Sequence, residues 1–153
     1  MSLKAYPNVR KTNKFQVFLE GLLVSLVNEV KLPEDEIVTD VHAAPGEVTD
    51  MTTPAGRKWG EMTLKTVTPA DAPFTLWRDW MDQLVDPDTG AFGDVEDGAR
   101  VITVVELGLQ DVPLDAHSYL VFPTKVAKPE MKGGSEGKNV IDEVTLTVIR
   151  RMS

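Results

Sequence analysis

Apolar and polar residues alternate along much of the chain, a pattern that places successive side chains on opposite faces of a β-strand. The stretches also favour Val, Thr, Ile and aromatic residues, which suit strands. Read together they predict about six strands, at residues 14–20, 24–30 continuing into 37–41, 59–66, 100–109, 118–122 and 140–150. The fold is therefore predicted to be mainly β. Residues 100–109 are apolar on both faces, so cover on both sides is expected there.

One segment has helical periodicity instead. Its apolar residues recur at spacings of three and four and include Trp77, Trp80 and Leu84. Asp71 is predicted as the N-cap, and Asp86-Pro87 is predicted to end the helix, because the residue before proline disfavours helical geometry. Two tryptophans on one short helix predict that it covers an open face of the β structure.

Two long segments, 43–58 and 128–139, are rich in Pro, Gly and polar residues and are predicted to be irregular. Loops of this length in a compact domain are usually functional. Neither segment has the character of a linker between domains, and no internal repeat is present. The chain, 1–153, is therefore predicted to be a single domain with its core at about 13–150.

The charge balance narrows the range of partners. Lys and Arg number 16 against 24 Asp and Glu, a net charge of −8, which argues against a nucleic-acid-binding surface or an anionic-membrane anchor. The chain has no Cys, which excludes disulfides and thiolate metal sites, and its two His are too few for a His-rich centre. The longest apolar run is far shorter than a membrane span, so a soluble cytosolic product is expected.

No catalytic, cofactor or metal residue is predicted. The acidic stretch starting at Asp86 fails as an EF-hand, since Gly90, Ala91 and Asp97 occupy its positions 5, 6 and 12. Residues 132–139 lack the spacing of a phosphate loop. His117 is interpreted as a packed or solvated strand residue, so an enzyme is not expected.

Five sequence motifs together resemble one family, the tube proteins of contractile tails. They occur in order and at sensible spacing over about residues 13–150, and they are Lys14–Leu22 (KFQVFLEGL), Pro54–Lys65 (PAGRKWGEMTLK), Leu76–Trp80 (LWRDW), Phe122–Val126 (FPTKV) and Asn139–Leu146 (NVIDEVTL). The second motif is the most specific of the five. The family's usual F-x-[EK]-V-[ST]-G-L motif is absent between residues 22 and 41. A phage tail, a phage-derived particle and an extracellular injection system therefore all stay open.

The resemblance implies a flattened β-barrel or two-sheet sandwich with one flanking helix. It also implies a homohexameric ring, with rings stacked into the inner tube of a contractile phage tail or injection system. Such a tube would meet sheath, baseplate and tube-initiator proteins and would carry DNA or effector protein without sequence-specific binding. It would be assembled in the bacterial host cytoplasm, as part of a particle that can be released. No cofactor is implied.

Two sets of residues are assigned hypothetical roles in such a tube. The first is hypothesised to line the channel and comprises Glu61, Thr63, Lys65, Glu143, Thr145 and Thr147. The second, in the two long segments, is hypothesised to contact adjacent subunits or rings and comprises Thr49, Asp50, Thr52, Pro54, Lys132, Gly133 and Glu136.

Three alternatives to these roles stay open. The six residues assigned to the channel would also fit an ordinary solvent-exposed face of a monomeric sandwich. A tube-initiating, baseplate-proximal paralogue would form one ring and no polymer. A monomeric β-sandwich binding module, carbohydrate-directed through Trp59 or the helix tryptophans, would expose its indoles.

Overall fold

The computed structural model describes residues 14–24, 27–42, 51–69, 75–93, 98–129 and 140–152. The described chain is mainly β with one α-helix, as predicted. Its strands are β1 (Phe15–Leu19), β2 (Leu22–Leu23), β3 (Val27–Lys31), β4 (Asp35–His42), β5 (Met51–Trp59), β6 (Met62–Val67), β7 (Arg100–Leu107), β8 (Pro113–Ala127) and β9 (Ile141–Arg151). The helix, α1, is Leu76–Leu84, and a short 3₁₀ turn occupies Leu109–Asp111.

Seven strands form one antiparallel sheet in the order β2-β1-β7-β8-β9-β6-β3. Strands β4 and β5 form a separate two-stranded antiparallel sheet. The large sheet is open within the described chain, since β2 and β3 are its two edges and do not pair with each other. The flattened, helix-flanked arrangement is thus the one that the sequence predicted, without closure into a barrel.

Side-chain alternation builds the core on one face of the large sheet. Met62 and Leu64 of β6 are fully buried, and they pair in register with Leu146 and Val144 of β9, which are also fully buried. Strand β7 follows the same rule. Ile102 and Val104 of that strand are buried, whereas Val101 and Val105 on its other side are half-buried. The described residues therefore do not give β7 the complete cover on both sides that the sequence predicted.

Helix α1 closes this core. Trp77 and Trp80 are at most 1% exposed, and Leu84 is buried beside them. Each indole finds a hydrogen-bond acceptor, because Trp77 Nε1 donates to Thr66 Oγ1 at 3.2 Å and Trp80 Nε1 donates to the carbonyl of Gly98. The helix begins after Thr75, and its end at Leu84 fits the predicted stop before Asp86-Pro87. Thr75 is the N-cap residue, so the prediction of Asp71 for this position was wrong, and residue 71 itself lies outside the described residues.

Two strand predictions are corrected by the structure. Residues 59–66 belong to two sheets, because β5 ends at Trp59 and the chain turns at Gly60, whose amide donates to the Glu34 carbonyl at 2.8 Å. Residues 51–58, predicted to be irregular, form most of β5. Pro54 is tolerated there because the ribbon has only two strands, so one side of β5 needs no hydrogen-bond partner.

Replacing Trp77 by Ala should destabilise the fold by about 3–5 kcal/mol, through the cavity it leaves. The substitution also leaves the buried Thr66 hydroxyl without its donor. Arg78→Ala, at the neighbouring exposed position, should change the free energy of unfolding by no more than about 0.5 kcal/mol. Urea unfolding followed by circular dichroism measures both. Equal losses in the two variants would contradict the role given to the helix.

Candidate functional site

A polar face lies on the side of the large sheet opposite the core. Thr63 pairs in register with Thr145, and Lys65 pairs with Glu143. Directly opposed residues project to the same side, and the buried residues of β6 and β9 alternate with these four. The structure therefore brings together four of the six residues that the sequence assigned to a channel.

The other two residues of that set differ in their placement. Thr147 alternates with the same buried residues of β9, so it extends the polar face, in register with Phe122. Glu61 is exposed in the turn between β5 and β6 and is not part of a strand. The polar face is defined here by the five strand residues.

Acidic and basic side chains are mixed around the polar face. Lys65 Nζ lies 3.4 Å from Glu29 Oε2 on the edge strand β3. Lys31 and Lys125 pair in register with two of the threonines, and Glu143 adds the second carboxylate. Three lysines and two glutamates therefore lie on or beside the polar face, namely Lys31, Lys65, Lys125, Glu29 and Glu143. This surface has no acidic surplus, although the whole chain has a net charge of −8.

Strands β4 and β5 form an arm that is exposed almost throughout. All residues of β4 from 35 to 41 are exposed, and in β5 only Thr53 and Trp59 are half-buried. The arm nevertheless carries apolar side chains, because Ile37 is 58% and Val41 is 63% exposed. A two-stranded hairpin is marginal by itself in water, so this arm has the character of a segment that a neighbouring chain covers.

Two ion pairs and two aromatic rings fix the base of the arm, and one of the ion pairs joins Lys58 Nζ to Glu36 Oε2 at 3.4 Å. The Arg57 guanidinium forms two hydrogen bonds with the Asp35 carboxylate, one of them 2.6 Å from Nε to Oδ1. This contact lowers the pKa of Asp35 and raises that of Arg57. The Trp59 ring packs edge-on against Tyr119 with centroids 6.1 Å apart, and Arg151 lies 5.7 Å from the Trp59 centroid.

The arm and the segment 130–139 are attached at opposite ends of the large sheet. Strand β6 begins directly after the arm at Met62 and ends at Val67, which pairs with Ile141. Ile141 is the first residue of β9, so the chain enters β9 from 130–139 at the end away from the arm.

Five residues of the predicted contact set lie outside the described residues, namely 49, 50, 132, 133 and 136. The remaining two, Thr52 and Pro54, are both exposed and belong to β5 in the arm. Sequence reasoning missed the exposed apolar residues of β4, since it treated 37–41 as the continuation of the strand at 24–30, whereas β3 and β4 belong to different sheets. Their signal was the Pro and Gly content of the partner segment 51–58, which predicts an exposed edge.

The tryptophans offer little surface for a sugar. Trp77 and Trp80 are buried, and Trp59 is half-buried with the Arg57 guanidinium carbon 4.8 Å from its ring centroid. The exposed indoles expected of a carbohydrate-binding module are therefore not found at these positions.

A polar cluster lies on the paired strands β7 and β8, near the turn that joins them. His117 Nε2 lies 2.7 Å from Glu106 Oε2, and ligand atoms of Glu106, Asp115 and His117 all lie within 4.8 Å of one another. These three residues could hold a cation. His117 is half-buried on a strand, as the sequence predicted.

The acidic turn after the helix uses its first carboxylate for local structure. Asp86 Oδ1 accepts hydrogen bonds from the amides of Asp88 and Thr89, at 2.8 and 3.2 Å. These amides lower the pKa of Asp86. Residues 85–93, which contain the turn, are exposed, as predicted for a solvated loop.

Sequence comparison and fold comparison give different results. No protein-family model matches the chain, and no curated protein sequence matches it. In the described residues, no helix is long and apolar enough to cross a membrane. Solved structures, by contrast, match the fold over nearly the whole chain.

Three of these structures come from contractile injection systems. A chain of the anti-feeding prophage tube-terminating cap has a TM-score of 0.77 at 14% identity, covering 99% of this chain and 94% of that one. A chain of the PVC sheath-tube complex has a TM-score of 0.73 at 16% identity, covering 96% and 90%. The PVC sheath/tube terminator gives 0.73 at 16% identity, covering 97% and 96%. The fold of this chain is therefore the one found in contractile injection structures, as the sequence resemblance implied.

The Asp35 carboxyl should titrate below its ordinary value of 3.8, and Arg57→Gln should move its midpoint up towards that value. A lowered folded-state pKa stabilises the arm above the unfolded pKa of about 3.9 and loses that effect as the pH falls through the folded value. Carboxyl carbon shifts measured by NMR against pH report the midpoint. Arg150→Gln, an exposed neighbour on β9, serves as the control. An unchanged midpoint in Arg57→Gln would contradict the assignment.

Proposed function

We propose that this chain is a structural subunit of the inner tube of a contractile injection system or contractile phage tail, forming hexameric rings that stack around a channel. The observation that carries the proposal is the exposed arm. The arm presents two strands with apolar side chains to solvent, on a domain whose fold occurs in injection-system structures. Exposed apolar patches mark interaction surfaces, and a subunit of a polymer buries such a patch against its neighbour.

Ring closure would use the two edges of the large sheet. The β2 edge exposes Leu22 and Leu23, which are 75% and 57% accessible, and β3 is the other edge. Joining β3 of one copy to the β1-β2 edge of the next would make one continuous sheet around the ring. Such closure leaves no unpaired edge, which otherwise promotes uncontrolled association.

Stacking would use the two ends of the sheet. The arm projects from one end, and 130–139 joins at the other. A head-to-tail contact between different surfaces repeats without limit and produces a filament. We therefore assign to the arm the contact with the next ring, and to 130–139 the contact on the opposite side.

The channel wall would be the polar face. Its threonines and its balanced charges give a wet surface with no strong field of either sign, which suits the passage of DNA or protein without tight binding. Sheath and baseplate proteins would surround and nucleate the tube. The subunits would assemble in the bacterial cytoplasm and leave it within the particle. An ordinary solvent face is the alternative for this surface.

A second candidate is a paralogue that caps or initiates the tube and forms a single ring. The fold likeness to a terminator and a cap favours keeping it. Negative-stain electron microscopy with light scattering on the purified protein separates the two. Long hollow tubes support the main tube subunit, rings that never elongate support the paralogue, and a monomer at every concentration, even with baseplate components added, would contradict both.

Replacing Ile37 and Val41 by Ser should leave the domain folded and abolish stacking. Both side chains project from the same side of β4, and burial of each contributes about 1.5–3 kcal/mol to a contact. The concentration needed for assembly should therefore rise at least about a hundredfold. Near-UV circular dichroism checks the fold, and sedimentation with electron microscopy checks assembly. The control is Phe92→Ser, an exposed apolar residue outside the arm, and tubes formed by the arm variant at normal concentration would refute the assignment.

Single cysteines provide a test of the channel wall, because the natural chain has none. Thr145→Cys should react with a bulky maleimide polymer in dissociated subunits and be protected in assembled tubes. Asp82→Cys, on the exposed side of the helix, should react in both states in tubes without a sheath. Mass spectrometry of the products measures the extent of labelling. Equal reaction of Thr145→Cys before and after assembly would place the polar face outside the channel.

A further inference from the structure

The polar cluster on β7 and β8 continues the buried side of the large sheet beyond the core. Ile102 and Val104 of β7 are buried, and Glu106 is the next residue of that strand to project to the same side. On β8, Asp115 pairs in register with Glu106, and His117 pairs with Val104. Directly opposed residues project to one side, so all three polar side chains lie on the core side, close to the turn between the strands.

The two strands therefore present three groups that coordinate metal ions. The spacing Asp115-x-His117 places two of them on one side of β8, because alternate residues of a strand share a side. Glu106 supplies the third from β7. One ligand atom from each residue lies within 4.8 Å of the other two, and His117 Nε2 is 2.7 Å from Glu106 Oε2. Ligands about 2.1 Å from a tetrahedral ion are about 3.4 Å apart, so small side-chain rotations would bring these atoms to that spacing.

The surroundings of the cluster hold its side chains and leave one side open. The side chains of His117 and Glu106 are only 28% and 35% exposed, so both groups are partly shielded from water. Asp115 Oδ1 accepts a hydrogen bond from the amide of Ala116 at 3.0 Å, which orients that carboxylate. Because Asp115 is exposed, an ion can reach the cluster from solvent on this side.

The charge of the cluster suits a divalent cation, because two carboxylates and one imidazole can offset two positive charges. Cationic side chains occur on both flanking strands, at Lys14 next to β1 and at Arg151 in β9. Lys14 Nζ lies 3.6 Å from Asp111 Oδ1. The Arg151 guanidinium lies 5.7 Å from the ring centroid of Trp59. Both cations thus have partners outside the cluster.

We propose that Glu106, Asp115 and His117 bind one divalent transition-metal ion of the zinc class, through two carboxylate oxygens and one imidazole nitrogen. Zinc accepts this mixture of ligands in four-coordinate geometry, whereas calcium and magnesium prefer oxygen ligands alone and more of them. Three protein ligands leave the fourth position to water. The ion would join β7 to β8 beside their turn, so its binding would stabilise the folded chain. The site lies within one chain and is independent of the proposed function.

Isothermal titration calorimetry of the untagged full-length protein with zinc chloride tests the proposal. One zinc ion should bind per chain, and calcium and magnesium should bind at least about a hundredfold more weakly. His117→Gln and Glu106→Gln should each lower the zinc affinity at least about tenfold. The matched controls are His42→Gln, which removes the other histidine of the chain, and Asp82→Asn, which removes an exposed carboxylate of the helix. Both controls should bind zinc as the natural chain does.

Two further readouts separate a built site from loose association of zinc with surface carboxylates. Cobalt(II) should give the visible absorption of a four-coordinate ion with the natural chain and lose it with His117→Gln. Zinc should raise the unfolding temperature of the natural chain and the controls, but not that of the two site variants. Circular dichroism verifies that each variant is folded. Absence of one-to-one zinc binding, equal binding of magnesium, or equal losses in the site variants and the controls would overturn the proposal.

Discussion

The burial of two indoles against a single sheet is the constraint on which the rest of the structure depends. A one-layer sheet needs one face covered, and α1 supplies the cover with Trp77 and Trp80. Thr66 accepts the hydrogen bond from the first indole, so the helix is fixed in position as well as packed. Once this face is closed, the other face and both ends of the sheet are free to serve contacts with other molecules.

Different parts of the sheet carry different surfaces. One face of the sheet carries the core, the opposite face carries Thr63, Thr145 and their polar neighbours, and the ends carry the arm and the 130–139 connection. The exposed acidic turn after the helix carries Phe92. These surfaces differ in chemistry. The polar face has mixed charge, the arm has exposed apolar side chains, and the turn is acidic with one exposed aromatic residue. Such differences fit contacts with several different partners.

Regular alternation explains what could be predicted from the sequence. Strands β1, β7 and β9 and the C-terminal end of the helix were predicted close to their observed bounds, since each of these elements has one buried face that imposes a period on its residues. The arm was not, because a ribbon exposed on both sides has no buried face and hence no period. The polar face was predicted in part: Thr63 and Lys65 alternate with core residues, whereas Glu61 lies beyond the start of β6.

The arm also has a consequence for the two tips of any filament built from this chain. Each ring in the middle would have its arms covered by a neighbour, but at one tip a full circle of arms would remain bare, with Ile37 and Val41 in water. The opposite tip would present only the surfaces that receive them. The two tips of such a filament are therefore different. They expose different amounts of apolar surface and would add subunits at different rates. A separate protein of related fold that covers the exposed arms at that tip would stop the addition of subunits and so set the filament length.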